Sequence, residues 1–112
     1  MIFNKTRHFT IIKEEKVCRS IFCKAFGLMF RTKKPKDALV FAFDTERIVA
    51  LHMLFVFFPI DALFLDKGKR VVDIKKDFQP FSYYSPKTKA MFVIELPVGM
   101  LQKTRIGDNL GF

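Results

Sequence analysis

The chain has 112 residues, half of them apolar and fifteen of them Phe, with 20 Lys and Arg against 11 Asp and Glu. A chain of this length is a single domain, residues 1–112. It can bury roughly two-thirds of the surface its unfolded form exposes, which excludes a disordered chain and any need for stapling. The formal charge of +9 either directs the protein to acidic partners such as nucleic acid or serves only to keep an apolar chain soluble.

The first segment, "MIFNKTRHFTIIKEEK", carries charges at positions 5, 7, 13, 14, 15 and 16. It lacks the apolar stretch and small-residue cleavage site of an export signal, so a cytoplasmic location is expected. "RHFTIIKEEKVC" is rich in β-forming residues and predicts one or two strands. Ser20 as N-cap and Gly27 as a left-handed stop predict a short helix over "SIFCKAFG". Cys18 and Cys23 fall on opposite sides of the start of that helix and need not meet; a reduced chain is expected.

"KKPKDALVFAFDTERIVALHM" predicts a hairpin: Ala38 to Phe43, a charged connection at Asp44-Thr45-Glu46, then Arg47 to Met53. Within it begins a run of thirteen uncharged residues, Ile48 through Ile60. As a helix that run would span about 20 Å, short of the roughly 30 Å of a bilayer core. Extending it to Leu65 would place Asp61 in the hydrocarbon at a cost of about 3 kcal/mol. A break at Pro59 into two buried strands fits better, and no membrane span is expected.

"IDALFLDKGKRVVDIKK" predicts a second hairpin turning at Asp66-Lys67-Gly68-Lys69, with Gly68 at a φ > 0 position. "FQPFSYYSPKTK" reads as a loop. "AMFVIEL" is a strand whose Phe92, Ile94 and Leu96 share one face. Pro97 predicts a short helix through Thr104, and "RIGDNLGF" a closing strand. The pattern as a whole is mainly β: a small β-barrel or sandwich-like domain of antiparallel hairpins with one or two short helices. Apolar edge strands such as "ALVFAF" would allow a homodimer.

Four stretches in order, "GLMFR", "ALVFAF", "LHMLFVFFPIDALFLDKGKRVVD" and "VIELPVG" with "IGDNL", resemble the domain of unknown function 192 family over about residues 17–112. Met53, Pro59, Asp61 and Phe64-Leu65-Asp66 match the family's central motif. His52 stands where a Trp is usual, and Leu54, Phe55 and Val56 replace Lys-Asn-Thr, removing the motif's polar part. The resemblance implies a compact, mostly β fold with a short early helix and no particular activity.

The residues themselves make catalysis a weak reading. Ser20, Ser82 and Ser85 sit in no nucleophile elbow, and Cys23 would need His8 or His52 by tertiary approach alone. The two His and two Cys fit no zinc spacing, so neither metal nor cofactor is expected. Asp61 in an apolar strand is the anomaly: it pairs with Arg31 or lines one polar patch with it at a strand end, or else it begins its strand in solvent after Pro59 or bonds turn amides. A binding domain for a small molecule, glycan or peptide near Arg31, His52 and Asp61 is therefore expected. The alternative is a nucleic-acid-binding module using Lys75 and Lys76 with Tyr83 and Tyr84, beside Phe81, Lys87 and Lys89.

Overall fold

The computed structural model describes residues 1–19, 36–53 and 56–112. Ten strands follow in chain order: β1 Ile2–Asn4, β2 Phe9–Ile12, β3 Glu15–Cys18, β4 Ala38–Arg47, β5 Leu51–His52, β6 Ile60–Leu65, β7 Val71–Phe78, β8 Tyr83–Tyr84, β9 Ala90–Pro97 and β10 Leu110–Gly111. They form a five-stranded sheet ordered β3-β4-β9-β6-β7, a three-stranded sheet β10-β1-β2 and a two-stranded sheet β5-β8. All pairings are antiparallel except β3 with β4, which is parallel.

Both faces of the five-stranded sheet are covered, and the two-residue period sorts its side chains between them. Leu39, Phe41, Ala62, Phe64 and Val93 face one core with Met53, Val56 and Phe58. Ala38, Val40, Leu63, Leu65, Ile94 and Leu96 face the other, under Ile2, Ile11, Ile12 and Leu110 of the three-stranded sheet. Every residue of β6 is buried. A strand covered on both faces reads as an unbroken apolar run, and this is what Ile60 and the continuation to Leu65 become; before Pro59 the described residues of the stretch give only the short, partly exposed β5 in place of a buried strand.

The break at Pro59 and the β6–β7 hairpin stand as the sequence predicts, as do the shared face of Phe92, Ile94 and Leu96 and a short closing strand at β10. Five expectations are corrected. The first hairpin does not form: β4 runs straight through Asp44-Thr45-Glu46, whose side chains are solvent-facing where the strand leaves the core, and β5 pairs with β8. "ALVFAF" is no edge, because β4 lies between β3 and β9.

Gly68 does not take the left-handed position of its turn; Lys69 does, at φ 64°. Asp66 fixes that turn by accepting hydrogen bonds from the amides of Gly68 and Arg70, each at 3.0 Å, through one carboxylate oxygen. Residues 98–104 form turns and no helix. Cys18, buried at the end of β3, is disulfide-bonded.

Among the described residues no barrel closes, since the five-stranded sheet ends in β3 and β7. The helix expected over 20–27 lies outside the described residues. Among the described residues no helix is long and apolar enough to cross a membrane.

Candidate anion-binding groove

β7 is an edge of the large sheet, and beyond its first residue the neighbouring chain segment diverges from it. Val71 is still held on both sides of its peptide unit: its amide donates to the Asp108 carbonyl, and its own carbonyl accepts from Gly107, each at 2.8 Å. Further along, Ile74, Lys75 and Lys76 on one side and Thr104, Arg105 and Ile106 on the other border an open depression of about 710 Å³, with Tyr84 at its edge. Consecutive strand residues point to opposite faces, so a cavity touched by Ile74, Lys75 and Lys76 runs along the sheet edge.

The 104–106 wall is pinned from beneath by a buried polar cluster. Asn4, fully buried in β1, donates to Thr104 Oγ1 at 3.2 Å and to Asp108 Oδ2 at 3.0 Å. The same Asp108 oxygen accepts from the Arg105 amide at 2.9 Å and from Arg7 Nε at 2.7 Å. Burial alone would push the Asp108 carboxyl up; the hydrogen bonds from Asn4, the Arg105 amide and Arg7, with the Arg7 charge, outweigh it and hold the group below its ordinary value. A buried carboxylate is tolerable on these terms because its oxygen is saturated with donors.

The other wall rests on Tyr84. Its ring packs on Phe64 and Phe78 at centroid distances of 5.8 and 6.4 Å. Its hydroxyl donates to Asp73 Oδ2 at 2.7 Å. That hydrogen bond, then burial, then the Asp73 charge push the Tyr84 hydroxyl up to about 12. Asp73 Oδ1 accepts the Ile74 amide at 2.8 Å, so both of its oxygens are engaged. Lys75 Nζ lies 5.4 Å from the Tyr84 ring centroid.

The cations are differently placed. Among the described residues the ion pairs are Met1 with Glu15 and Arg7 with Asp108, so Lys75, Lys76 and Arg105 have no carboxylate partner. Three cations without a carboxylate partner among the described residues therefore border one slot, beside the hydrogen-bonded acids Asp73 and Asp108. Such a slot can hold phosphate or carboxylate oxygens.

Sequence reasoning placed Lys75, Lys76 and Tyr84 together, and the structure brings them to one groove. Tyr83 is elsewhere. It alternates with Tyr84 along β8, is 68% exposed, and pairs across the two-stranded sheet with His52, itself exposed. Like Tyr83, Phe57 and Phe81 are exposed, and their two rings meet edge-on at 5.8 Å. Arg105 went unnoticed in the sequence; the only signal was a cation between polar and apolar residues in "TRIGD".

Asp61 is buried, and its oxygens accept backbone amides, Oδ1 from Asp77 at 2.8 Å and Oδ2 from Gly99 at 3.0 Å. This is the turn-amide arrangement. Asp77 has φ 50°, at the irregularity where β7 slips against β6, and Gly99 has φ 94° in the turn after β9. Asp61 thus ties the ends of both strands that flank β6. No hydrogen bond or ion pair joins it to His52, and Arg31 lies outside the described residues. Among the described residues no three His, Cys, Asp or Glu side chains come together as a metal site.

The fold and groove define a small mainly β domain built on a mixed five-stranded sheet, with a cationic slot along one edge. The chain belongs to the DUF192 family, described as uncharacterized ACR, whose pattern it matches over residues 4–112, from the last residue of β1 onward. It is 36% identical over 114 residues to a UPF0127 protein of Pyrococcus horikoshii, covering 98% of this chain and 96% of that one. A UPF0127 protein of Pyrococcus abyssi is 33% identical over the same length.

Two crystal structures share the fold. One is a protein of unknown function from Novosphingobium aromaticivorans, with TM-score 0.78 and 21% identity over 88% of this chain and 74% of that one. The other is a Sinorhizobium meliloti protein provisionally described as a transcription regulator, with TM-score 0.79 and 22% identity over 87% of this chain and 79% of that one.

Proposed function

We propose that this chain is a binding domain that holds the phosphate backbone of a nucleic acid along the β7 edge. The observation that carries this reading is the convergence of Lys75, Lys76 and Arg105 on one groove without carboxylate partners. The net charge of +9 supports it by drawing polyanions to the surface. Ile74 and Ile106 add apolar surface to the slot, against which sugar and base edges can pack. Tyr84 serves as wall and not as stacking platform, because its ring is already committed to Phe64 and Phe78.

The expectation of a small ligand around Arg31, His52 and Asp61 has less support, because the Asp61 oxygens are engaged by backbone amides.

The test is fluorescence anisotropy of labelled single- and double-stranded oligonucleotides across a salt series. Micromolar binding that weakens steeply with salt is expected. Replacing Lys75, Lys76 and Arg105 together by Ala should flatten the dependence of log K on log salt by about 2 for a single strand, at about 0.7 per lost phosphate contact. Absence of binding at low salt would overturn the reading and leave the positive charge as a solubility feature.

A further inference from the structure

We infer that a second site, independent of the β7 groove, lies at the opposite end of the large sheet and takes a small organic carboxylate with an apolar body. A cavity of about 400 Å³ opens there over the β3–β4–β9 end, within the size range of small-molecule sites. Its floor comes from three neighbouring strands. Val17 on β3 pairs with Val40 on β4, and Ala42 on β4 stands opposite Phe92 on β9. The small side chain at Ala42 leaves the space beside the Phe92 ring.

One wall is built by Phe112. Phe112 meets Phe92 edge-on at a centroid distance of 5.4 Å. Lys69 clamps that pair: its Nζ donates to the Phe112 carbonyl oxygen at 2.8 Å and lies 4.3 Å from the Phe112 ring centroid. Lys69 reaches this wall from the β6–β7 turn, where its backbone is left-handed at φ 64°. The aromatic corner is therefore fixed before any ligand arrives.

The charges at the rim decide the ligand class. Glu15 and Val17, two residues apart on β3, and Arg19, one residue past its end, all border the cavity. The Glu15 carboxylate is ion-paired with the Met1 ammonium. The Lys69 ammonium is held by Phe112. The Arg19 guanidinium has no ion pair or hydrogen bond among the described residues, which makes it the rim's free charge. An apolar floor, an aromatic corner and one free guanidinium fit an anion that is flat or branched and carries a single carboxylate; guanidinium and carboxylate pair bidentately.

The test titrates the full chain with 3-phenylpropionate, followed by amide chemical-shift changes in NMR, with 3-phenylpropanamide and inorganic phosphate as comparison probes. Saturable shifts at Val17, Ala42 and Phe92 are expected. Affinity should fall at least about tenfold in Arg19→Ala, and by a similar factor for the uncharged amide, which corresponds to losing one charge-assisted contact. Arg19 is exposed, so that variant keeps the fold. Binding that is unchanged in Arg19→Ala would overturn the inference, as would binding lost in the Lys75, Lys76 and Arg105 triple variant, which would put the ligand in the β7 groove. No saturable shift in the unaltered chain would overturn it outright.

Discussion

Asp61 and Glu95 stand on adjacent strands, one pairing step apart, and point to opposite faces of the sheet: Asp61 faces Leu96 in the register, and Glu95 faces Ala62. Asp61 is deeply buried and accepts two backbone amides. Glu95 is packed within the sheet with part of its surface reaching solvent; no hydrogen bond reaches its carboxylate among the described residues, and Leu39 and Ala62 flank it in the register. Desolvation pushes its carboxyl up to about 7. The pair shows that the amount of burial does not decide whether an acid stabilises a fold; the donors aimed at it do. Asp61 is part of the frame, whereas Glu95 is a charge the frame carries at a cost.

Removing Asp61 should have the largest effect. Asp61→Ala leaves the Asp77 and Gly99 amides without their acceptor at two backbone positions of positive φ. Denaturant unfolding should show a loss of about 3–5 kcal/mol, given about 1.5–3 kcal/mol for each bond to a charged group. Asp61→Asn should lose less, since its amide oxygen still accepts one of the two donors while its NH2 group confronts the other. If both variants were as stable as the parent chain, the distinction between the two acids would collapse.

Glu95 gives the opposite sign. Its folded value of about 7 lies above the ordinary 4.5, so between those pH values the folded state binds more protons than the unfolded state. Stability from this group is complete below pH 4.5 and is lost as pH rises through about 7. The shift corresponds to about 3 kcal/mol. Glu95→Gln should therefore match the parent chain near pH 4.5, exceed it at pH 8, and flatten the slope of unfolding midpoint against pH. A parent chain whose stability is level across that range would show that the Glu95 carboxylate is solvated.

The Asn4–Asp108 cluster allows the Asp61 lesson to be tested on a second buried acid. Asn4→Ala removes donors to Thr104 and Asp108 and the acceptor for the Arg7 amide. A loss of about 2 kcal/mol is expected in the same unfolding assay. Because the Asp108 carboxyl is held below its ordinary 3.8, its contribution is present above that pH and is lost as pH falls through the lower folded value. Acid unfolding of Asn4→Ala should accordingly begin at higher pH than in the parent chain.

These contrasts were only partly legible in the sequence. An acid inside "FPIDALFL" announced itself as needing partners, but the partners are backbone amides 16 and 38 residues away, and an amide leaves no mark in a sequence. The β6–β7 hairpin was legible because an apolar run ends at a turn rich in charge and glycine. The course of β4 was not: Asp44, Thr45 and Glu46 look like a turn, yet they continue a strand whose far half stands in solvent, where polar residues cost the sheet nothing. Glu95 was hidden within "VIELP", where alternation makes a polar residue look like an ordinary solvent-facing position. Lys75 and Lys76 were visible as a pair, but Arg105 joins them only through the segment that Asn4 and Asp108 pin in place.

The smallest effect concerns the turn at residues 66–70, where sequence reasoning was off by one position. Had Gly68 held the left-handed conformation, a side chain there would strain the backbone by about 1 kcal/mol or more. The positive φ belongs to Lys69 instead, and a Cβ added at Gly68 would meet only Asp66 Oδ1, at an ordinary 3.5 Å. Gly68→Ala should then restrict the unfolded chain without disturbing the folded one, raising stability by about 0.5 kcal/mol. The two carboxylate bonds that shape the turn survive this change, because both donors are backbone amides. Destabilisation by Gly68→Ala in thermal unfolding would return the left-handed residue to Gly68.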